Sequence, residues 1–270
     1  MQTKEQKSNA VLDSRAVVFV DVLGFASLTE QHPLDLEQIK VADRPLSVES
    51  INMILMRREN PLTQVFTDFH RSLESVINLA KMKYSVTAVT FSDSAFIATA
   101  QLYHAASIAV QLMDYLLPQR VPVRIGIAYG SFSALRFRSD ITVEEGDHAA
   151  HFLGTGVVRS NAAERCGIKG LRILLHPSAL QHLEELTKDV PKSPKESIRV
   201  IQCSTDEANN PIGVRHEVNY WRFTPTRETK AWHALQDMWN AAPENERKHS
   251  EATELPSVFR LPSGGFHATR

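Results

Sequence analysis

Cysteine is nearly absent. Of 270 residues only Cys166 and Cys203 are thiols, far apart and without a Cys-x-x-Cys pair, which excludes a disulfide framework and a cysteine zinc site and suits a reducing cytosol. Long apolar runs are also missing. None approaches the roughly 18 residues that cross a bilayer, and the opening MQTKEQKSNAVLDSR has no apolar signal core, so a cytoplasmic protein without membrane contact is expected. Neither sign of charge dominates: 30 Lys and Arg against 31 Asp and Glu give a formal net charge of −1, which leaves no basic field to hold a nucleic-acid backbone. Internal repeats and low-complexity tracts are lacking too. Apolar material is plentiful, since 43% hydrophobic residues suffice for one large core or two small ones.

The chain is organised around Ala16–Leu28, AVVFVDVLGFASL. The apolar run Ala16–Val20 reads as a buried strand and delivers one carboxylate, Asp21, into a Gly24-Phe25 turn. A carboxylate at the end of a buried strand is destabilising unless it is paired or binds a cation. Downstream, Leu62–Met82 carries apolar residues at helical spacing, notably Val65, Phe69, Leu73, Val76, Ile77 and Ala80, and Ser47–Arg58 does so more briefly. Tyr84–Phe91 and Ala95–Ala100 are β-rich and separated only by Ser92-Asp93-Ser94, which predicts a hairpin with Asp93 at its tip. Leu102–Leu117 is a second amphipathic helix, stopped by Pro118. Val121–Tyr129 reads as a strand and Ser131–Phe137 as the start of another; a Gly154-Thr155-Gly156 turn then opens a helix that Gly167 ends. Strand Leu171–Leu175, helix Pro177–Leu186 and a late strand pair, Ile198–Cys203 and Glu217–Phe223, follow. A last helix is expected at Thr229–Ala241.

A hairpin between two helices, with a strand at either end, is the βαββαβ plan. The fold expected is α+β, a ferredoxin-like core whose antiparallel-rich sheet carries helices on one face. Three segments are expected: an arm at 1–14, the main domain at 15–224, and a C-terminal helical appendage and tail at 225–270. In that plan the first strand lies beside the hairpin, so Asp21 and Asp93 meet although distant in sequence. Two carboxylates at one sheet edge repel unless one is protonated or a divalent cation lies between them.

Four motifs stand in order along the chain: Phe19-Val20-Asp21-Val22-Leu23-Gly24-Phe25, Phe91-Ser92-Asp93-Ser94, His104-Ala105 and Val123-Arg124-Ile125-Gly126-Ile127. The set resembles the class III nucleotidyl cyclases, whose hallmark is a strand-borne Phe-x-Asp-Ile-x-Gly-Phe and whose second metal aspartate lies in the central hairpin. The resemblance runs from Ala16 to Leu175. It implies cyclisation of a nucleoside triphosphate: the 3′ hydroxyl attacks the α-phosphorus, diphosphate leaves, and two divalent cations, Mn2+ or Mg2+, acidify the hydroxyl and neutralise the phosphates. Asp21, Asp93 and the carbonyl of Val22 are the implied metal ligands. Backbone N–H groups of Leu23, Gly24 and Phe25 are the implied hold on the β and γ phosphates.

Departures from the family narrow the implied substrate. Purine cyclases place a base-reading Lys or Glu four residues before the hairpin aspartate and an Asp or Cys after the late glycine; Val89 and Thr155 stand there, with Phe91 beside the first. The late Asn and Arg of the family align with Val158 and Ala162. One turn on, Asn161 and Arg165 keep the same i, i+4 spacing, with Arg159 as a rival for the phosphate. Without purine readers the chain resembles the free-standing pyrimidine cyclases of bacterial anti-phage (Pycsar-type) defence. That implies conversion of UTP to cyclic UMP; the alternatives are a cytidylate cyclase, a purine cyclase, or a non-catalytic cyclase-like nucleotide-binding or dimerisation module. It also implies a homodimer with sites at the interface, the helix of Arg165 facing Asp21 of the partner subunit, and a separate effector reached through the product. Other groupings are weaker. His148 and His151 lack a third zinc ligand, Ser131 and Ser133 are outside any G-x-S-x-G elbow, Trp221, Trp232 and Trp239 read as packing residues, and Arg222, Arg227 and Lys230 as solvated surface.

Overall fold

The computed structural model describes residues 14–34, 60–136, 150–188, 199–203, 210–220, 230, 233–238 and 240. The helix expected at Ser47–Arg58, together with His148, Trp221, Arg222, Arg227, Trp232 and Trp239, lies outside the described residues. The order begins with β1 (Ser14–Val22), the short α1 (Phe25–Gln31), α2 (Pro61–Lys81), β2 (Val86–Thr90), β3 (Ser94–Thr99), α3 (Leu102–Leu116) and β4 (Val123–Ser131). It continues through β5 (Ser133–Arg136), β6 (Ala150–Leu153), α4 (Thr155–Glu164), β7 (Ile173–Leu175), α5 (Pro177–Leu180), α6 (Glu185–Lys188), β8 (Arg199–Gln202) and β9 (His216–Asn219).

Seven strands form one sheet in the order β2-β3-β1-β4-β7-β9-β8, and β5 pairs with β6 apart from it. β1 is antiparallel to β3 and to β4, and β2 to β3. The first four strands are therefore the expected α+β core, with the hairpin beside β1. The sheet is extended past β4 by β7, the one parallel pairing among the described residues, and then by the antiparallel β9 and β8.

Successive residues of a strand point to opposite faces, and β1 uses both. Ala16, Val18, Val20 and Val22 pack with Phe69, Leu73 and Val76 of α2 and with Ile108, Leu112 and Leu116 of α3 in the main core. α2 starts cleanly: the Asn60 side chain accepts a hydrogen bond from Leu62 N at 2.8 Å, and Pro61 occupies the first turn, where its missing N–H is no loss. α3 borrows its cap from a distance, Glu185 Oε2 accepting from Leu102 N at 2.7 Å. Leu235, in the helical residues 233–238, joins the same core.

The two helices of the βαββαβ core share one face, as the plan requires, and α4 lies on the other. Val17 and Phe19 join Phe96, Ala98 and Phe132 there, and a Cβ on Gly156 of α4 would meet Val17 Cγ2. Gly126 of β4 lies opposite Phe19, and a Cβ on it would run into the Ser160 carbonyl and the Glu164 N–H of α4. The helix rests on the strand main chain to main chain.

Two local differences from expectation have physical causes. Pro177–Leu186 is two short helices separated by a turn rather than one, with His182 Nδ1 and Glu185 Oε1 2.9 Å apart where the second begins. β6 is an additional strand: only four residues long, it is too short for alternation to reveal it, and it exists by pairing Leu153 with Ser133 and Phe152 with Ala134.

Candidate active site

Asp21 shares the face of β1 that carries Val17 and Phe19. The register puts it opposite Ser94 on β3 and Arg124 on β4. The hairpin tip is bound to the same strand end, because Val22 N donates to the Asp93 carbonyl at 2.9 Å. Asp93 is half-buried, and Ser92 Oγ donates to its Oδ1 at 3.2 Å. Burial pushes the Asp21 carboxyl from its ordinary 3.8 up to about 7, and the negative charges of Glu164 and then Asp93 add to the push, while Arg165 and Arg124 oppose it. The two aspartates are thus neighbours in charge as well as in space.

After Asp21 the chain turns sharply. Leu23 N donates to the Pro122 carbonyl at 2.8 Å, and Gly24 follows with φ of +75°, the left-handed region that favours glycine. Leu23 and Phe25 turn their side chains to the main core, leaving the main chain of the turn at the rim. An α-helix leaves its first N–H groups without intrahelical partners, so the start of α1 presents donors beside the carboxylates.

The other sequence candidates divide. Asn161 and Arg165 fall at the Asp21 end: α4 stops there, Arg165 N donating to the Asn161 carbonyl at 3.0 Å. The Arg165 side chain is 70% exposed, and its charge acts on Asp21 of its own chain. Thr155 and Arg159 fall at the opposite end. Thr155 Oγ1 accepts from Ser131 N, and Thr155 N donates to Ser131 Oγ, both at 3.0 Å. Arg159 donates from Nη1 to the Tyr129 carbonyl at 3.0 Å. In β1 pairing Ser131 lies opposite Ser14, whereas Asp21 pairs with Arg124; at roughly 3.3 Å per residue, seven residues of strand separate Thr155's anchor from Asp21.

Val89 is buried in β2 opposite Phe96, within an aromatic group on the Asp21 face. Phe96 packs on Phe19 with ring centroids 4.5 Å apart and on Phe152 at 4.9 Å. Phe91 meets Phe152 edge-on at 5.6 Å and remains 40% exposed.

Sequence reasoning missed Glu164. Its carboxylate is 1% exposed and binds Arg124, with Nε to Oε1 at 2.7 Å and Nη2 to Oε1 at 2.6 Å; Arg124 also donates to the Ile168 carbonyl. The available signal was Arg124 itself, a lone cation inside the apolar strand Val121–Tyr129, which requires a buried anion.

Among the described residues no three His, Cys, Asp or Glu side chains gather into a metal cluster. The donors brought together at the Asp21 end are two carboxylates, both hard oxygen ligands. They suit Mg2+ or Mn2+, which retain water and phosphate ligands, and a cation there would offset the burial and the like charges that raise Asp21.

No family model matches the sequence, and no curated protein matches it. Solved structures do align with the fold. The guanylyl cyclase Cya2 is 16% identical over 76% of this chain and 89% of its own, with a TM-score of 0.43. An adenylate cyclase from Trypanosoma brucei in its monomeric state is 17% identical over 80% of this chain and 90% of its own, at 0.44. The guanylate cyclase domain of RhGC from Catenaria anguillulae in complex with GTP is 12% identical over 77% and 94%, at 0.45. At these identities and TM-scores the alignments assign neither an activity nor a substrate to this chain.

Proposed function

We propose that this chain is a pyrimidine nucleotide cyclase of the class III type, converting UTP to 3′,5′-cyclic UMP and diphosphate as a second messenger for a separate effector in anti-phage defence. One observation carries the reading: Asp21 and Asp93 meet at one sheet edge, where burial and like charge hold Asp21 protonated up to about pH 7. The residues fit a pair of divalent cations, Mn2+ by preference, which when bound neutralise the phosphates and acidify the 3′ hydroxyl. Asp21, Asp93 and the Val22 carbonyl hold them. The main chain of Gly24 and Phe25 donates to the terminal phosphates; Leu23, expected to join them, gives its N–H to the Pro122 carbonyl instead. Asn161 and Arg165, at the near end of α4, orient the ribose and the α-phosphate.

The base rests on Phe91, supported from behind by Phe96 and Phe152. Val89 aims no ionised group at a purine edge, and recognition falls to stacking, worth about 1–3 kcal/mol per base. Leu153, 47% exposed, and Val158, 69% exposed, give the elements over this face apolar surface for a second copy and a homodimer. A non-catalytic nucleotide-binding module is the second reading, favoured by Arg159, whose guanidinium is engaged with Tyr129 away from Asp21.

The test is incubation with each of the four triphosphates and Mn2+, with products separated by mass. Cyclic UMP as the main product supports the proposal, and cyclic CMP selects the cytidylate alternative. Cyclic AMP or GMP overturns the pyrimidine reading, and binding without product selects the module. Asp21→Ala and Asp93→Ala are each expected to abolish turnover while the dimer persists.

A further inference from the structure

We infer that His70, half-buried in the middle of α2, is a positioning residue for Asp93. The inference rests on the reading of Asp21 and Asp93 as cation ligands. Nε2 of His70 lies 3.2 Å from the Ser92 carbonyl oxygen; a carbonyl brings no proton, so the hydrogen is on Nε2 and the ring donates. That carbonyl belongs to the peptide joining Ser92 to Asp93, and the orientation of this peptide plane sets the direction in which Asp93 leaves the main chain.

Besides the Ser92 Oγ bond to the Asp93 carboxylate, three hydrogen bonds reach the main chain of the hairpin tip. Phe91 N donates to the Ser94 carbonyl at 2.8 Å within the hairpin, and Val22 N donates to the Asp93 carbonyl at 2.9 Å from β1. The third, from His70, comes from a side chain across the sequence. The first two hold the ends of the turn, and His70 holds the peptide between them. Ser92 is exposed, and without a protein donor its carbonyl turns to water at little cost, carrying Asp93 with it.

The imidazole is itself aimed. Its ring lies 4.3 Å from Phe66 at 48° and 5.2 Å from Phe69 edge-on, and Phe69 is fully buried in the main core. A chain of contacts therefore runs from the core through Phe69 and His70 to the Ser92 carbonyl and the direction of the Asp93 carboxylate. The face of the sheet opposite the site thus fixes a ligand on it.

Donor and ring are separated by substitution in the full chain. His70→Phe and His70→Leu keep apolar packing and lose the donor, while His70→Gln keeps a donor at similar reach. Mn2+ binding is measured without nucleotide from the resonance signal of the free ion, alongside the melting temperature. The expectation is that both donor-free variants weaken Mn2+ binding about tenfold, the upper weight of one ordinary hydrogen bond, with little change in melting temperature, and that His70→Gln recovers most of the loss. Wild-type affinity in His70→Phe and His70→Leu, alongside lost binding in Asp93→Asn, overturns the inference and leaves the metal reading standing. His70→Gln binding as poorly as His70→Phe also overturns it, because ring packing is then the cause. Wild-type protein binding Mn2+ no better than Asp21→Asn and Asp93→Asn removes the metal reading and the inference with it.

Discussion

The two ends of α4 are built on opposite principles. At Thr155 every polar group noted is answered: Ser131 and Thr155 exchange main-chain and hydroxyl hydrogen bonds, Arg159 donates to Tyr129, and Tyr129 N donates to Ser178 Oγ. At Glu164 the account stays open. Arg124 is matched by Glu164, the exposed Arg165 has only a loose contact, Nε 3.9 Å from Glu164 Oε2, and Asp21 is raised by burial and by the charges of Glu164 and Asp93. The helix is closed where it only has to be held, and short of positive charge where the proposed cations would bind. Perturbed ionisation concentrates at functional ends for this reason.

Three substitutions break or sharpen this contrast. The largest effect is expected from Glu164→Ala, which leaves the Arg124 guanidinium buried without its anion. Loss of about 3–5 kcal/mol should appear as a lower urea midpoint, and an unchanged midpoint would mean that the pair does not anchor the charged end.

Asp21→Asn sharpens the contrast through pH. The folded carboxyl titrates near 7, above its ordinary 3.8, so the folded state holds the proton more tightly. The stability this adds is full below about 3.8 and is lost as pH rises through about 7. Metal-free wild-type protein should therefore lose melting temperature relative to Asp21→Asn between pH 5 and pH 8, and Mn2+ should restore it at pH 8. A difference that does not change with pH would refute the strained carboxyl.

The smallest effect is expected at the closed end. Thr155→Val removes an exposed hydroxyl from a reciprocal pair, lowering stability by about 1 kcal/mol and leaving Mn2+ affinity unchanged. A marked loss of Mn2+ binding would show that the two ends are not independent.

Much of this was legible in the sequence because it depends on period and neighbourhood. The run Ala16–Val20, the hairpin around Asp93, and the apolar faces of α2 and α3 follow from spacing, and the βαββαβ order then sets Asp21 beside Asp93. What escaped depends on register between distant segments. Glu164 and Arg124 are separated by forty residues and meet because Gly126 lets α4 settle on β4. Arg159 and Arg165 look alike in sequence, and helical phase together with the partner each finds sends one to Tyr129 and leaves the other near Asp21. Thr155 stood out by its place after a glycine, but its hydroxyl is taken by Ser131, a partner that only the end of β4 could bring.

Gly126 has a further consequence for how this surface can vary. Since α4 rests on β4 through peptide atoms, the spacing between Asp21 and the end of α4 is set by the backbone and not by side-chain volume. A single methyl group at position 126 would act as a wedge, lifting Asn161, Glu164 and Arg165 together, so the smallest change in the molecule falls where it moves the most.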